Sequence, residues 1–291
     1  GNTTVPFDAG AVRCSEYGGY LYIHTAHEMY ATTDGINHQA NLTMNVRISD
    51  MTLTEARYQV ANRYRGYVSH SFNQFIRTDG GTLVTVDHGD AHPRSVVLMR
   101  YFAPAGQDSF TEEKQVVISS TSGSLTYRWQ AVEYVDVLSI AGESGSNDTG
   151  VSLGGFEVSD TAYLIAGNTV SQGGDYDPAG QRNIFVSATA KDNFTVAGTK
   201  INYLTNYTAD AAVEVGNPQF VKVNANKYAV LWMENRSLRC AFVDGNGNLL
   251  GDIITAGGVV SDCVPIVSGN RLIWYVTSNS GPAFMVMDLD D

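Results

Sequence analysis

Tyr228-Ala229-Val230-Leu231-Trp232 is a five-residue apolar run closed by polar turn signals, Asn224-Ala225-Asn226 before it and Asn235-Arg236 after it. A short run rich in β-branched and aromatic side chains between such punctuation reads as a strand. The same kind of run recurs at Gly19-Tyr20-Leu21-Tyr22-Ile23, Leu83-Val84-Thr85-Val86, Tyr163-Leu164-Ile165-Ala166 and Leu272-Ile273-Trp274-Tyr275-Val276. No long stretch of helical period competes with them. The nearest, Thr126 to Leu138, reads equally well as strand.

Working outward, each run has a strand and a tight polar turn before it: Ala11–Ser15, Ser71–Ile76, Leu153–Val158, Pro218–Val223 and Cys263–Val267. Each is followed by a loop and a third strand: Leu42–Ile48, Ser95–Phe102, Asn183–Ala190, Leu238–Val243 and Ala283–Leu289. A fourth strand follows in several units, as at Val135–Ile140, Lys200–Thr205 and Leu250–Thr255. The unit is a four-stranded antiparallel meander, repeated five times at intervals of roughly 40 to 80 residues, near the blade length of propeller repeats. The chain therefore resembles β-propeller repeat proteins of the five-bladed type, in which four-stranded sheets stand radially around a channel. It carries no WD, kelch or Asp-box signature. A pair of β-sandwiches is the structural rival, but it leaves the five equivalent strand pairs without a reason. The expectation is one all-β domain over residues 1–291. The last unit stops after its third strand, so the spare N-terminal strand Thr3–Phe7 is expected to complete that blade and remove a sheet edge. Asp244-Gly245-Asn246-Gly247-Asn248 is expected to form a turn needing positive φ between strands three and four of blade four.

Composition narrows the function. Of 291 residues, 18 are Lys or Arg and 30 are Asp or Glu, a formal net charge of −12. Nucleic acid and anionic membranes need clustered basic residues, so both are excluded as expected partners. No stretch reaches the roughly 18 to 20 apolar residues of a membrane span. No leader is visible, and Gly1 reads as a cloning or processing scar that would follow removal of one. Six N-x-S/T sequons, at Asn2, Asn41, Asn147, Asn193, Asn206 and Asn235, fit an extracellular or cell-surface protein, although a chain rich in Thr and Asn also acquires them by chance. Cys14, Cys240 and Cys263 lack metal-type spacing. They read as three buried thiols, and a Cys240–Cys263 bridge would imply an oxidising compartment.

All six histidines lie in the first 92 residues. His24 and His27 close strand two of blade one, and His38 follows in its loop. His88 and His92 fall in the equivalent loop of blade two, with His70 before its first strand. By propeller geometry all six lie on one face of two adjacent blades. Acids and a cation accompany them, in His24-Thr25-Ala26-His27-Glu28 and Asp87-His88-Gly89-Asp90-Ala91-His92-Pro93-Arg94. His88, Asp90 and His92 would share one side of an extended segment. Imidazole with carboxylate is a zinc-type ligand set, so His24, His88, Asp90 and His92 are candidate ligands for a divalent ion, zinc or calcium. The plain alternative is that these groups satisfy loop backbones and one another across the blade seam. The loop Gly173-Gly174-Asp175-Tyr176-Asp177-Pro178 could offer oxygens to calcium but lacks an EF-hand pattern and reads as a turn.

Two functions from different classes follow. The first is an extracellular or cell-surface binding module for carbohydrate or a protein partner, with His24, His27, His38, His70, His88, His92 and Arg94 as ligand-binding residues. The second comes from the resemblance: five-bladed propellers include glycoside hydrolases, whose carboxylates perform acid–base work. It implies Glu28, Asp87 and Asp90 as candidate catalytic acids. The Asp-Pro start often found in the first blade of such enzymes is replaced here by Ala11-Val12-Arg13-Cys14-Ser15. A structural repeat within a larger surface protein is the third reading. Tyr20, Tyr22, Tyr30, Tyr64, Tyr67, Trp129, Trp232, Trp274 and Tyr275 could stack on sugar rings, but strand-interior aromatics also fill the wedge between blades.

Overall fold

In a computed structural model, the described residues are 13–31, 37–58, 72–91, 93–109, 113–120, 123–130, 132–278 and 281–289. Strands are their only regular structure, and no helix among them is long and apolar enough to cross a membrane. Two compact units are present, Gly1–Asn147 and Asp148–Asp291.

The first unit holds two blades. Blade one is β1 (Arg13–Tyr17), β2 (Tyr20–Ala31), β3 (Asn37–Arg47) and β4 (Thr52–Tyr58), paired in chain order. Blade two begins with β5 (Asn73–Asp79), β6 (Thr82–Asp90) and β7 (Arg94–Pro104). A separate hairpin, β8 (Glu113–Ser120) with β9 (Gly123–Gln130), is inserted before the fourth strand, β10 (Val132–Ser139), which pairs with β7. The Thr126–Leu138 stretch is thus the end of one strand and most of the next. Tyr22 of blade one packs with Ile76, Leu83 and Tyr101 of blade two in one buried cluster.

The second unit holds three blades. Blade three is β11 (Val151–Val158), β12 (Ala162–Thr169), β13 (Asn183–Ala190) and β14 (Thr199–Tyr203). Blade four is β15 (Val215–Asn224), β16 (Lys227–Glu234), β17 (Ser237–Val243) and β18 (Ile254–Ala256). Blade five has β19 (Ile266–Ser268), β20 (Arg271–Ser278) and β21 (Gly281–Asp288). Every pairing is antiparallel, and the fold class is all-β, a five-bladed β-propeller. The expected closing strand Thr3–Phe7 lies outside the described residues.

The run that opened the sequence reading shows why the blades need so few charges. Side chains alternate faces along a strand. On β16, Tyr228, Val230 and Trp232 join the core shared with blade three, beside Leu164, Ile184 and Val186. Ala229 and Leu231 join the core shared with blade five, beside Leu272, Trp274 and Val276. A strand buried on both faces reads as continuous apolar sequence. At the Asp244 turn, Asp244 Oδ1 accepts hydrogen bonds from the backbone N–H groups of Asn246 and Asn248, at 2.8 and 2.9 Å. Gly247 has φ +75° there, the positive value expected.

The cysteines depart from expectation. All three are free; Cys240 is buried, whereas Cys14 and Cys263 are exposed. Cys240 points into the apolar layer between blades four and five, away from any disulfide. Burial pushes its thiol up to about 12 from an ordinary 9.0. Burial, followed by the charges of Glu157 and Asp160, pushes Tyr228 up to about 12 from 10.0. The folded state therefore holds protons that the unfolded chain releases first. Stability is expected to fall as pH rises from about 9 towards 12, read as the urea midpoint against pH.

Blades three and four meet backbone to backbone at a bulge in β11, between Leu153 and Gly155. A Cβ on Gly154 would lie 2.3 Å from the Pro218 carbonyl oxygen, and one on Gly155 would lie 2.9 Å from that of Phe220. Neither backbone can yield as a flexible side chain would. Gly154→Ala is expected to destabilise by about 1–3 kcal/mol in urea unfolding, whereas Gly174→Ala, in open space, should leave the midpoint in place.

Candidate functional site

The centre of the histidine-bearing region is a buried line of polar groups between blades one and two. His24 on β2 faces Thr43 on β3, its cross-strand partner, and its Nδ1 lies 2.8 Å from Thr43 Oγ1. Its Nε2 lies 3.0 Å from Asp87 Oδ2 on β6. Both His24 and Asp87 are 0% exposed. A carboxylate oxygen accepts, so Nε2 carries the proton of that contact; in the neutral ring Nδ1 then accepts from the Thr43 hydroxyl. Thr43 Oγ1 is also 3.4 Å from the Tyr101 hydroxyl on β7. Burial raises the Tyr101 pKa far above its ordinary value, and the Asp87 charge adds to this, while hydrogen bonds with Thr43 and Thr85 act the other way.

Aspartate, imidazole and a hydroxyl in this order form the relay of nucleophilic catalysis. Here every member is sealed from solvent, Thr43 included, so no substrate reaches the hydroxyl oxygen. The chemistry left to the line is positional: it fixes one blade against the next. Thr43 and Tyr101 were not singled out in the sequence, where Thr43 stands only as the end of the Asn41 sequon.

The other candidates divide sharply. His88 lies in β6 rather than in a loop, because the strand stays paired on both sides, with Asn73 and Val96, through that position. Its ring is buried, with Nδ1 3.1 Å from Asn73 Oδ1 and the Phe72 ring edge-on at 5.2 Å. Register along β6 is unbroken from Val84 to Asp90. Asp87, which meets His24, therefore lies on the opposite face from His88 and Asp90. The structure does not bring His24 together with His88 and Asp90. Among the described residues no three His, Cys, Asp or Glu side chains gather to hold a metal ion.

Asp90 is fully buried, and its carbonyl accepts a hydrogen bond from the Gly145 N–H at 3.0 Å. Arg94, partly buried, donates from Nε to the Ala141 carbonyl at 2.8 Å and from Nη1 to that of Ser146 at 2.6 Å. Both residues pin residues 141–146 over the end of blade two. His27 and Glu28 lie on β2 and His38 on β3, rather than in the loop expected for His38; their backbones pair as His27–Ala40, Glu28–Gln39 and Tyr30–His38, with a register shift between Glu28 and Tyr30. The side chains of His27, Glu28 and His38, and all of His70 and His92, lie outside the described residues.

One feature of blade one was not legible in the sequence. Among the described residues, β1 pairs with β2 as far as His24 and β4 with β3 back to Leu42. Beyond these points β2 and β3 continue together to Ala31 and Asn37. Residues 25–31 and 37–41 thus carry the central β2–β3 pair onward from the His24–Asp87 line.

No protein-family model matches the chain, and no curated protein sequence does. Its backbone is similar to several solved structures. The polysaccharide lyase Uly1 is 9% identical over 95% of this chain and 57% of its own, with a TM-score of 0.48. A GH43_1 enzyme from Xanthomonas citri, complexed with xylose, is 8% identical over 95% of this chain and 85% of its own, at 0.46. CoXyl43, a GH43 β-xylosidase/α-arabinofuranosidase from a compost microbial metagenome, is 11% identical over 96% and 90%, at 0.45. The chain spans little more than half the length of Uly1. Identities this low assign no residue roles.

Removing one partner of a sealed polar pair strands the other. Asp87→Ala is expected to cost about 3–5 kcal/mol of stability and Asp87→Asn, which keeps an acceptor oxygen, clearly less, both measured by urea unfolding. Equal midpoints for wild type and Asp87→Ala would show that the line does not hold the seam.

Proposed function

We propose that the chain is a carbohydrate-directed protein that works outside the cell or at its surface, as a binding module whose ligand is taken at the His27–His38 end of blade one. The strand pairing that gathers these residues is the observation that carries this reading. Paired β2 and β3 bring together His27, Glu28, Tyr30, His38 and Gln39, residue types whose imidazole, carboxyl, amide and phenol groups suit sugar hydroxyls and ring faces. The sealed positions of Asp87 and Asp90 favour binding over acid–base catalysis by those two acids. The sequons support the extracellular placement.

A glycoside hydrolase is the second reading, and the bulge at Glu28 favours it. Bulges re-aim a side chain and recur beside active sites. The two readings separate in one series. A binding module is expected to give hits on a glycan array that are lost in His27→Ala, with no release of reducing ends from the same glycans. A hydrolase is expected to release reducing ends at a rate that falls about 100-fold or more in Glu28→Gln. A silent array together with no release would contradict both.

A further inference from the structure

We infer that a cleft at the end of blade three is a binding site for a neutral saccharide. The ligand class is that of the proposed function, but the site is a different one and rests on its own observations. The cleft has a volume of about 500 Å³, within the range of small-ligand sites, about 300–1,000 Å³. It is formed by the connection from β12 to β13 and by the segment that follows β14.

Its floor is built and rigid. Asn183 Oδ1 accepts hydrogen bonds from the Thr205 hydroxyl at 3.0 Å and the Tyr207 N–H at 2.6 Å, and Asn183 Nδ2 donates to the Tyr207 carbonyl at 3.1 Å. Gln181 brackets Val213 in the manner of a strand, donating to its carbonyl at 2.7 Å and accepting from its N–H at 2.9 Å. The Tyr207 hydroxyl donates to Glu234 Oε2. These amides hold two loops in one geometry before any ligand arrives, which lowers the ordering cost of binding.

The rim is different. Tyr203 lines the cleft and is 53% exposed, with a large aromatic surface facing water. Tyr203, Asp175 and Asn206 make no side-chain hydrogen bond among the described residues. An aromatic face beside an uncommitted carboxylate and carboxamide is the combination that takes a sugar: the ring covers a C–H face, and the oxygens and amide meet vicinal hydroxyls. The cleft is lined by Asp175 and Asp177 and by no Lys or Arg. Without a cation to pair with it, an anionic ligand such as a uronate or a phosphate is disfavoured. The saccharide is therefore neutral.

The test is saturation-transfer NMR on the full chain from a non-glycosylating host, since Asn206 is a sequon. The probes are cellobiose, xylobiose, maltose and lactose, in buffer containing EDTA. Transfer to at least one disaccharide is expected, weakened about tenfold or more in affinity in Tyr203→Ala and in Asp175→Asn and unchanged in Arg271→Ala, an exposed position on blade five. Both cleft residues are exposed, so an unchanged far-UV spectrum and melting temperature will confirm folding. No transfer to any probe overturns the inference, as does transfer that survives Tyr203→Ala. Transfer lost in Glu28→Gln but kept in Tyr203→Ala would place the sugar on blade one, overturning the cleft and leaving the proposed function standing.

Discussion

A polar side chain sealed from water must complete its hydrogen bonds inside the protein, and this constraint sorts the residues of the candidate region. His24 uses both ring nitrogens, one on Thr43 and one on Asp87. Asp87 reaches across from the second blade, so satisfying one imidazole also fixes the register of two sheets. Arg94 directs its guanidinium to two backbone carbonyls. Side chains that look reactive in the sequence are thus consumed by the architecture.

The apolar side of the same architecture is the alternation of β16, whose successive residues feed the cores on either side of blade four. Strands covered on both faces have little room for charge, which accounts for a charged fraction of only 16%. Where two blades approach most closely, even a methyl group is excluded, and glycine occupies Gly154 and Gly155. The polar line in the first unit and the close backbone contact in the second are two solutions to joining neighbouring blades.

The inner strands were legible because a two-sided core writes itself as an unbroken apolar run. β4 was not, since Thr-Leu-Thr-Glu-Ala-Arg-Tyr is the outer strand of its blade and has water on one side, with Leu53 half exposed. The inserted hairpin β8–β9 was hidden because its second strand runs on towards β10 without a glycine or proline to mark the break. His88 was read as a loop residue because Asp-His-Gly-Asp has turn composition; pairing on both sides overrode it. The co-location of His24 and Asp87 was foreseen as a face, but its burial was not, since period and spacing do not report what covers a strand end. The blade-three cleft was least legible. Its lining comes from residues 169–183 and 203–209, and the glycine-rich loop between Gln172 and Pro178 reads in isolation as a turn.

Uncommitted polar groups line the rim of blade three, whereas those of the blade-one seam are sealed within it. The most direct measurement is a crystal structure of the chain soaked in a neutral disaccharide. The account predicts sugar density against Tyr203 and Asp175, with the Asp87–His24–Thr43 line unchanged. Sugar within hydrogen-bond distance of the Asp87 or Asp90 carboxyl group would contradict it.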